Sequence, residues 1–443
     1  MHARRLMLSA VAGAAALVAF AGLPAGAALA GTGAAVPCSG PGGGAVGLIA
    51  AINAANTGGG GTIALAAGCT YRLTAADNNG ALGPNGLPVI TSAITIKGAG
   101  ATIARRSAQP FRILEVDGPG GDLTLQNLKI TGGDTPGPGG GMFNFAGRLT
   151  LNATVVTGNA SEGDPMSSGG GIASGTMEPP SAGTLVLNAS QVTRNTTSGD
   201  AGGILNHAGT AILNSSQVTF NTSGNGAGIA SGPGTGGDPH GSSLTLNAST
   251  VAHNSATEGG GRPAGAGIAN GGLAVIRSSS IVDNAAPGGI GAGILNHGTM
   301  TIAGSRVTGN TAPNDSQGNP GAGGGIGNLP SPGNVPGTGV LTVRNSVLSG
   351  NSAAGFGGAV ANAPHARATV IGSTVSGNSA ATGGGLASQG RLVMKGSLVT
   401  RNTAAAAGGI AKLGGTVVLR ATTVIRNAPD NCEPAGTIPG CTG

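Results

Sequence analysis

The sequence predicts an all-β protein, a right-handed parallel β-helix of about ten regular coils with a short N-terminal capping helix and a C-terminal disulfide cap. Three observations lead to this fold class. An eleven-residue block recurs ten times along the chain. The apolar positions in the block alternate, as they do in a β-strand. The composition, with 90 glycines in 443 residues and only 2% aromatic and 8% charged residues, favours a repeat architecture over a thick globular core.

Each block begins like a strand and ends in asparagine. Its third position is always aliphatic or Met, its sixth is Ser or Thr, and its eighth is Val, Ile or Leu. In chain order the blocks are LTLNATVVTGN, LVLNASQVTRN, AILNSSQVTFN, LTLNASTVAHN, AVIRSSSIVDN, MTIAGSRVTGN, LTVRNSVLSGN, ATVIGSTVSGN, LVMKGSLVTRN and VVLRATTVIRN. The closing residues are Asn159, Asn195, Asn221, Asn254, Asn284, Asn310, Asn351, Asn378, Asn402 and Asn427.

A second motif precedes each block: three residues of Gly or Ala followed by an aliphatic, as in Gly169 to Ile172. Together with the eighth position of the block, it marks two further short strands. Each repeat of about 25 residues therefore holds three strands and three turns. Coils stacked at the strand spacing of about 4.8 Å would merge their three or four aliphatic side chains into one narrow core.

The invariant asparagine is interpreted as part of the frame. At a turn, its side-chain amide can donate to one neighbouring coil and accept from the other, which gives a ladder along the axis. Glycine at another corner permits positive φ and close backbone packing. The Ser/Thr column is expected to support a turn through its hydroxyl group.

The segments outside the repeats differ in character. Residues 1–30 are predicted to be a signal peptide, because a basic start, an apolar run and an A-x-A site at Ala28 to Ala30 follow one another. Residues 31–122 would form the N-terminal cap and irregular first coils, with a short helix over Leu48 to Asn56. The repeats would span residues 123–427 and a second cap residues 428–443. No membrane span is expected after signal cleavage.

The chain has four cysteines, an even number that suggests disulfides in an exported protein. We predict the pairs Cys38–Cys69 and Cys432–Cys441, near the two ends of the mature chain. A zinc site is the alternative, but the spacing fits no common ligand pattern. No other metal site and no cofactor are predicted. The calcium nonapeptide GGxGxD is missing from the sequence, which counts against a calcium site.

These motifs resemble those of right-handed parallel β-helix proteins of the pectin-lyase-like superfamily, particularly exported bacterial repeat proteins. They are also similar to the GGA[ILV] and FxxN repeats of polymorphic outer-membrane proteins. Residues Gly357 to Val360 match the first motif, and Val218 to Asn221 match the second with Val in place of Phe. The resemblance implies the fold. It leaves the activity open, because this fold serves both glycan-cleaving enzymes and non-catalytic surface proteins.

The polygalacturonase motifs NTD, DD, GHG and RIK do not occur in the sequence. Three repeats carry Gly/Pro-rich insertions, Ser174 to Gly183, Ser231 to Ser243 and Asn328 to Gly339, which are candidate binding loops. If the protein is an enzyme, a polysaccharide lyase or glycoside hydrolase, its candidate catalytic residues are Glu178, Asp238 and His240 on these loops.

Positive charge gathers at the C-terminal end, where Lys395 and Arg420 share one column of successive repeats and Arg401 and Arg426 share another. Stacked like charges repel, and an anionic polymer would relieve the repulsion. We therefore expect a secreted or cell-surface, non-catalytic protein that binds an acidic polysaccharide or cell-wall polymer through these four residues. Nucleic acid is disfavoured because stacking aromatics are scarce. An ice-binding surface is a further alternative, but its threonine column is interrupted by Val and Ile.

Overall fold

A computed structural model describes residues 35–163, 168–175, 182–232, 241–257, 264–331 and 339–441. The predicted signal peptide, residues 1–30, lies outside this part of the chain. From residue 35 onward the described chain forms one compact unit. Apart from one helix, its regular structure consists of short β-strands.

The first strand of each coil contains the opening residues of the eleven-residue block. Alternating aliphatic and polar or β-branched residues favour an extended conformation there. These first strands are Arg148–Asn152, Thr184–Asn188, Thr210–Asn214, Ser243–Asn247, Leu273–Arg277, Thr299–Ala303, Val340–Arg344, Arg367–Ile371, Arg391–Lys395 and Thr416–Arg420.

A tight turn separates each first strand from a second strand, which carries the aliphatic residue at the eighth position of the block. The turn includes the Ser/Thr column, whose hydroxyl groups bond to backbone atoms. The second strands are Val155–Thr157, Gln191–Thr193, Gln217–Thr219, Thr250–Ala252, Ser280–Val282, Arg306–Thr308, Val347–Ser349, Thr374–Ser376, Leu398–Thr400 and Thr423–Ile425.

The coil then continues through two further strands, so most coils contain four strands and not the three predicted. The additional, third strand directly follows the ladder asparagine. The third strands are Ala160–Ser161, Thr196–Thr197, Thr222–Ser223, Ser255–Ala256, Thr311–Ala312, Ser352–Ala353, Ser379–Thr382 and Thr403–Ala406. The fourth strands, from the glycine-rich motif, are Ile172–Ser174, Ile204–Asn206, Ile229–Ser231, Ile268–Asn270, Ile294–Asn296, Ile326–Asn328, Val360–Asn362, Leu386–Ser388, Ile410–Lys412 and Cys432–Glu433.

Each first, second and fourth strand pairs in parallel with the corresponding strand of the next coil, whereas the sheet of third strands is interrupted after Ser255–Ala256. Leu149 lies opposite Leu185, and Val156 opposite Val192. Because the register is kept, each position of the repeat becomes a column that runs along the coils. This arrangement confirms the predicted right-handed parallel β-helix.

The core is a file of aliphatic side chains inside the coils. In the first regular coil it consists of Leu149, Leu151, Val156 and Ile172, all of them fully buried. The same four positions are buried in the following coils, except that Leu419 in the last coil is partly exposed. A coil with so few apolar side chains cannot form a core by itself, so its stability depends on its neighbours.

The predicted asparagine ladder runs beside this core. The Asn195 Nδ2 donates to Asn221 Oδ1 at 3.0 Å and to the backbone oxygen of Val156 at 3.1 Å. Its Oδ1 accepts from both Nδ2 and the backbone N–H of Asn159, at 2.9 and 3.0 Å. The ladder also extends one step beyond the repeats, since Asn427 Nδ2 donates to Asn431 Oδ1 at 3.0 Å. Every polar atom of the buried amide is thus hydrogen-bonded.

The glycine-rich motif marks a corner at which two chain segments come very close. A Cβ added to Gly170 would lie 2.0 Å from the backbone oxygen of Thr196 and 2.7 Å from that of Gly202. Both atoms belong to backbone that cannot move away without disturbing the stack. Close approach, rather than a special φ, therefore requires glycine at this position.

The N-terminal end is closed by the helix Gly44–Thr57, which packs on the first sheet through Leu48 and Ile52. The strands before the regular coils are Gly60–Ala64, Thr70–Leu73, Asn78–Gly80, Gly83–Asn85, Ala93–Arg105, Leu114–Val116, Asp122–Thr131, Asp134–Thr135 and Met142–Asn144. Asn78–Gly80 and Gly83–Asn85 form an antiparallel hairpin. The predicted helix therefore exists and begins four residues earlier than the predicted Leu48.

A buried ion pair holds this hairpin. Arg112 and Glu115 are 0% and 1% exposed, and Arg112 Nη1 donates to Glu115 Oε2 at 3.0 Å. Glu115 also accepts from the Ala81 backbone N–H and from Asn85 Nδ2, both at 3.0 Å. Burial lowers the pKa of Arg112 to about 10, against the opposing effect of Glu115. The guanidinium is therefore still charged at neutral pH.

Disulfides join Cys38 to Cys69 and Cys432 to Cys441. The first lies beside the capping helix, and the second closes the C-terminal segment, where Ile438 is 2% exposed and covers the end of the core. This confirms the predicted C-terminal disulfide cap. The one described helix is too short to cross a membrane.

Candidate binding groove

An open groove lies on the outer face of the first strands near the C-terminal end. Its volume is about 350 Å³. The residues that line it are Val340, Arg367, Ala368, Thr369, Arg391, Val393, Lys395, Val418 and Arg420. We call this the basic groove. Two of the four residues predicted to bind an anionic polymer, Lys395 and Arg420, belong to it.

The period of two along a strand explains how these side chains come together. The first, third and fifth residues of a first strand face outward, while the second and fourth enter the core. Arg391 and Lys395 begin and end the same strand, so about 13 Å separates them along it. Arg367 pairs with Arg391 on one wall, and Lys395 pairs with Arg420 on the other.

The floor between these walls is formed by the third position of the strands. It consists of Thr369, Val393 and Val418, of which Val393 is 9% exposed. The groove therefore has two rows of long cationic side chains above a narrow floor of β-branched residues. Only one of the two rows was predicted from the sequence, because Arg367 and Arg391 lie one residue before the eleven-residue block and so outside the aligned columns.

No described residue neutralises the charges of the basic groove. Arg367, Arg391, Lys395 and Arg420 are exposed, and within the described chain none of them has an ion pair or a side-chain hydrogen bond. From residue 341 onward the only acids in the sequence are Asp430 and Glu433. Like charges on directly paired strands repel each other. An anion in the groove would relieve that repulsion.

Comparisons with known proteins assign no activity to this chain. No family model matches the chain, and no curated protein matches it. The A-module of the mannuronan C-5 epimerase AlgE6 of Azotobacter vinelandii aligns with a TM-score of 0.39 and 14% identity, over 86% of this chain and 96% of that one. Tailspike protein 3 of bacteriophage CBA120 aligns with a TM-score of 0.36 and 11% identity, over 87% of this chain and 59% of that one. At these values neither alignment supports an argument about function.

The fold class of this chain follows from its own structure, because corresponding strands of successive coils pair in parallel and in register. The chain is a parallel β-helix repeat protein. Its similarity to the repeats of polymorphic outer-membrane proteins stays a prediction.

The other predicted pair of cations lies elsewhere on the β-helix. Arg401 and Arg426 directly follow the second strands Leu398–Thr400 and Thr423–Ile425, and both are exposed. They are neighbours, since the Arg401 N–H donates to the Arg426 backbone oxygen at 3.0 Å. Neither residue lines the basic groove. The four predicted binding residues therefore form two separate pairs.

The candidate catalytic residues Glu178, Asp238 and His240 lie outside the described part of the chain. The described residues on either side show where their insertions leave the β-helix. Both insertions connect a fourth strand to the next first strand, after Ile172–Ser174 and after Ile229–Ser231. The third predicted insertion occupies the same connection and leads into Val340, which lines the basic groove. All three therefore start from one corner of the coil.

Two titratable groups elsewhere on the β-helix are perturbed by burial. Desolvation raises the pKa of Asp200, although a hydrogen bond with Asn225 and the charge of His207 act in the opposite direction. Desolvation also lowers the pKa of His297, whose Nδ1 lies 3.2 Å from the Pro330 backbone oxygen. Among the described residues, no group of three or more His, Cys, Asp or Glu side chains could hold a metal ion.

Proposed function

We propose that this protein is exported and binds an acidic polysaccharide or cell-wall polymer in the basic groove, without cleaving it. The observation that carries the proposal is the pair of cationic walls, Arg367 with Arg391 and Lys395 with Arg420, which have no acidic partner in the described structure. Such a surface attracts anions and raises their local concentration.

The shape of the groove favours an extended polymer over a compact anion. The walls run along the stacking direction, across the strands, and each wall offers a charge on two consecutive coils about 4.8 Å apart. A chain with repeated carboxylate or phosphate groups could contact several of these cations at once. The narrow floor of Thr369, Val393 and Val418 would pack against its uncharged parts.

Two features support an extracellular location and the exclusion of nucleic acid. Disulfides at both ends of the described chain form and persist in oxidising compartments, which agrees with the predicted signal peptide. Among the described residues that line the groove, none is an aromatic on which bases could stack. A carbohydrate polymer requires no such platform.

The proposal can be tested by retention on immobilised polygalacturonate, with immobilised dextran as the neutral comparison. Arg391→Ala combined with Lys395→Ala should reduce affinity by at least about tenfold for each side chain, because a hydrogen bond to a charged group contributes about 1.5–3 kcal/mol and about 1.4 kcal/mol corresponds to tenfold in affinity. Retention should also weaken as salt is added.

Arg401→Ala combined with Arg426→Ala is the matched control, because it removes the same charge from outside the groove. Equal weakening by both double variants would show that only net charge matters. Failure of the wild-type protein to bind any anionic polymer would remove the proposal. New reducing ends in the same incubation, lost on Asp238→Ala, would instead establish the alternative, a polysaccharide lyase or glycoside hydrolase that acts from the inserted loops.

A further inference from the structure

Four residues of different chemistry form a line on the surface of the central coils. Arg194, Phe220, His253 and Asp283 each precede a ladder asparagine, in four successive repeats. All four side chains are exposed, Phe220 to 48%. We call this line the corner ridge. It lies on the second-strand side of the coils, away from the outer face of the first strands.

The backbone at this corner favours glycine, yet the corner ridge contains none. Its four residues have φ values of 55°, 57°, 54° and 52°, in the left-handed region. Other coils place glycine in the same column, at Gly158, Gly309, Gly350 and Gly377, and the last two coils place Arg401 and Arg426 there. Arg and Phe are uncommon in this conformation because the Cβ is crowded, whereas His and Asp tolerate it better. Backbone strain of this kind points to a role for the side chains themselves.

The four side chains hold one another in a line. The Arg194 guanidinium lies over the Phe220 ring, 5.3 Å from its centroid. The rings of Phe220 and His253 stack with centroids 4.8 Å apart and planes 16° from parallel. His253 Nδ1 lies 4.0 Å from Asp283 Oδ2. A cation–π contact and a ring stack thus order these exposed side chains, and the Asp283 carboxylate lies beside the imidazole.

Glycine at the acidic end of the ridge makes room for it. A Cβ added to Gly309 would lie 2.0 Å from Asp283 Oδ1, so the carboxylate occupies the space that a side chain would fill. At the other end, the neighbouring position of the column is Gly158. The corner ridge is therefore bounded by bare backbone on both sides.

The order of charges along the corner ridge is self-complementary. It reads cation, aromatic ring, aromatic ring, anion. A two-fold axis between Phe220 and His253 would place Arg194 of one copy against Asp283 of the other, and Phe220 against His253. Interfaces of two-fold dimers are built in this way, from one patch that complements itself. We propose that the corner ridge is the contact between two copies of this chain, lying side by side and antiparallel.

The surroundings of the ridge suit this partner. The third-strand column beside it carries small uncharged residues, and the same two-fold axis pairs Thr222 with Ser255 and Thr196 with Ala285. On the other side, the second-strand column is also uncharged across these coils, with Gln191, Gln217, Thr250 and Ser280. No like charges would meet in these columns. A flat ligand is a poorer fit, because Arg194 and His253 already cover the two faces of the Phe220 ring.

The test is sedimentation velocity of the full mature chain over a wide range of protein concentrations. A ridge one side chain wide makes a small interface, so a reversible dimer is expected. Arg194→Asp alone and Asp283→Arg alone should each give a monomer, because two like charges would then face each other in both halves of the contact. The double variant Arg194→Asp/Asp283→Arg should restore the dimer. Arg401→Asp, in the same column but outside the ridge, is the matched control and should leave the dimer intact.

Thermal unfolding of each variant verifies that the chain is folded, and aspartate tolerates the left-handed region better than most residues. A wild-type protein that is monomeric at every concentration overturns the proposal. It is equally overturned if either single reversal still dimerises, or if the double variant does not recover. A monomer in which the ridge variants change retention on dextran would make the ridge a carbohydrate site and would also overturn the dimer. The groove variants should leave the oligomeric state unchanged, so this result is independent of polymer binding.

Discussion

Two asparagines in the stretch LVLNASQVTRN show how position decides the role of a residue. Asn195 is 0% exposed and makes hydrogen bonds to three residues of neighbouring coils. Asn188 is partly exposed at the end of a first strand, where its Nδ2 donates to Asn152 Oδ1 at 2.8 Å. Both belong to amide rows, but only the first lies where water cannot replace a lost partner.

We therefore predict that Asn195→Ala lowers the free energy of unfolding by about 1–3 kcal/mol, the cost of leaving buried polar groups without partners. Asn188→Ala is the control and should cost less, because water can reach the freed groups. Urea denaturation of both variants measures the difference. Equal losses from both substitutions would mean that burial does not set the value of the amide.

The sequence was sufficient to predict the role of these columns because each repeats the same residue type. The Ser/Thr column was predicted to support a turn through its hydroxyl group, and it does so. Ser190 Oγ donates to the Asn188 backbone oxygen at 2.9 Å and accepts from the Thr154 N–H at 3.1 Å. The corner ridge could not be found in this way. Its column contains Gly, Arg, Phe, His and Asp, which looks like a variable surface position until the backbone shows its shared conformation.

At the scale of single elements, the hairpin formed by Asn78–Gly80 and Gly83–Asn85 depends on one buried ion pair. Arg112 reaches the Leu82 backbone oxygen at 2.8 Å, while Glu115 holds the Ala81 N–H. These contacts attach a polar insertion to a coil that has no asparagine ladder. Burying two charges is unfavourable in itself, and the hydrogen bonds around them offset that cost.

We predict that Glu115→Ala destabilises the protein by about 3–5 kcal/mol, because it leaves the buried Arg112 cation unpaired. Asp134→Ala is the control, since it removes the partner of Arg105 from a pair in which the aspartate is 42% exposed. That change should cost no more than about 1 kcal/mol. Denaturant unfolding of the two variants compares them, and similar losses would contradict the role given to burial.

This ion pair could not be predicted from the sequence, for a physical reason. Residues 31–122 lack the block pattern, so no column indicates which side chains face each other. Arg112 and Glu115 are three residues apart, and Asn85 joins them from a distant part of the chain. The regular coils were predictable because residues at the same position of successive repeats are neighbours on adjacent coils. In the irregular coils the sequence does not indicate which residues are neighbours, and only the structure shows these contacts.

At the scale of the whole β-helix, the strands at the two ends differ in how they are covered. The helix Gly44–Thr57 covers the first sheet at the N-terminal end. At the C-terminal end, the last first strand, Thr416–Arg420, and the last second strand, Thr423–Ile425, each pair with the preceding coil only. No described strand pairs with their far sides. Arg420 and Arg426 stand at the ends of these two edge strands.

We predict that Arg420→Val combined with Arg426→Val promotes association through this edge. Natural proteins discourage pairing between exposed edge strands by placing charges on them, and the change would remove both charges. Light scattering and thioflavin fluorescence over time would detect the product. Arg277→Val combined with Arg306→Val is the control, since it removes equal charge from strands paired on both sides. Aggregation at the same rate in both variants would assign the effect to solubility alone.

The open edge gives the C-terminal arginines a task that requires no ligand. Each coil offers its first and second strands as a template for one more layer, and no described strand pairs with that template on the last coil. A fold that adds identical layers has the same growth rule as a fibril. Charge repulsion between Arg420 and Arg426 of different molecules would then prevent end-to-end association into filaments.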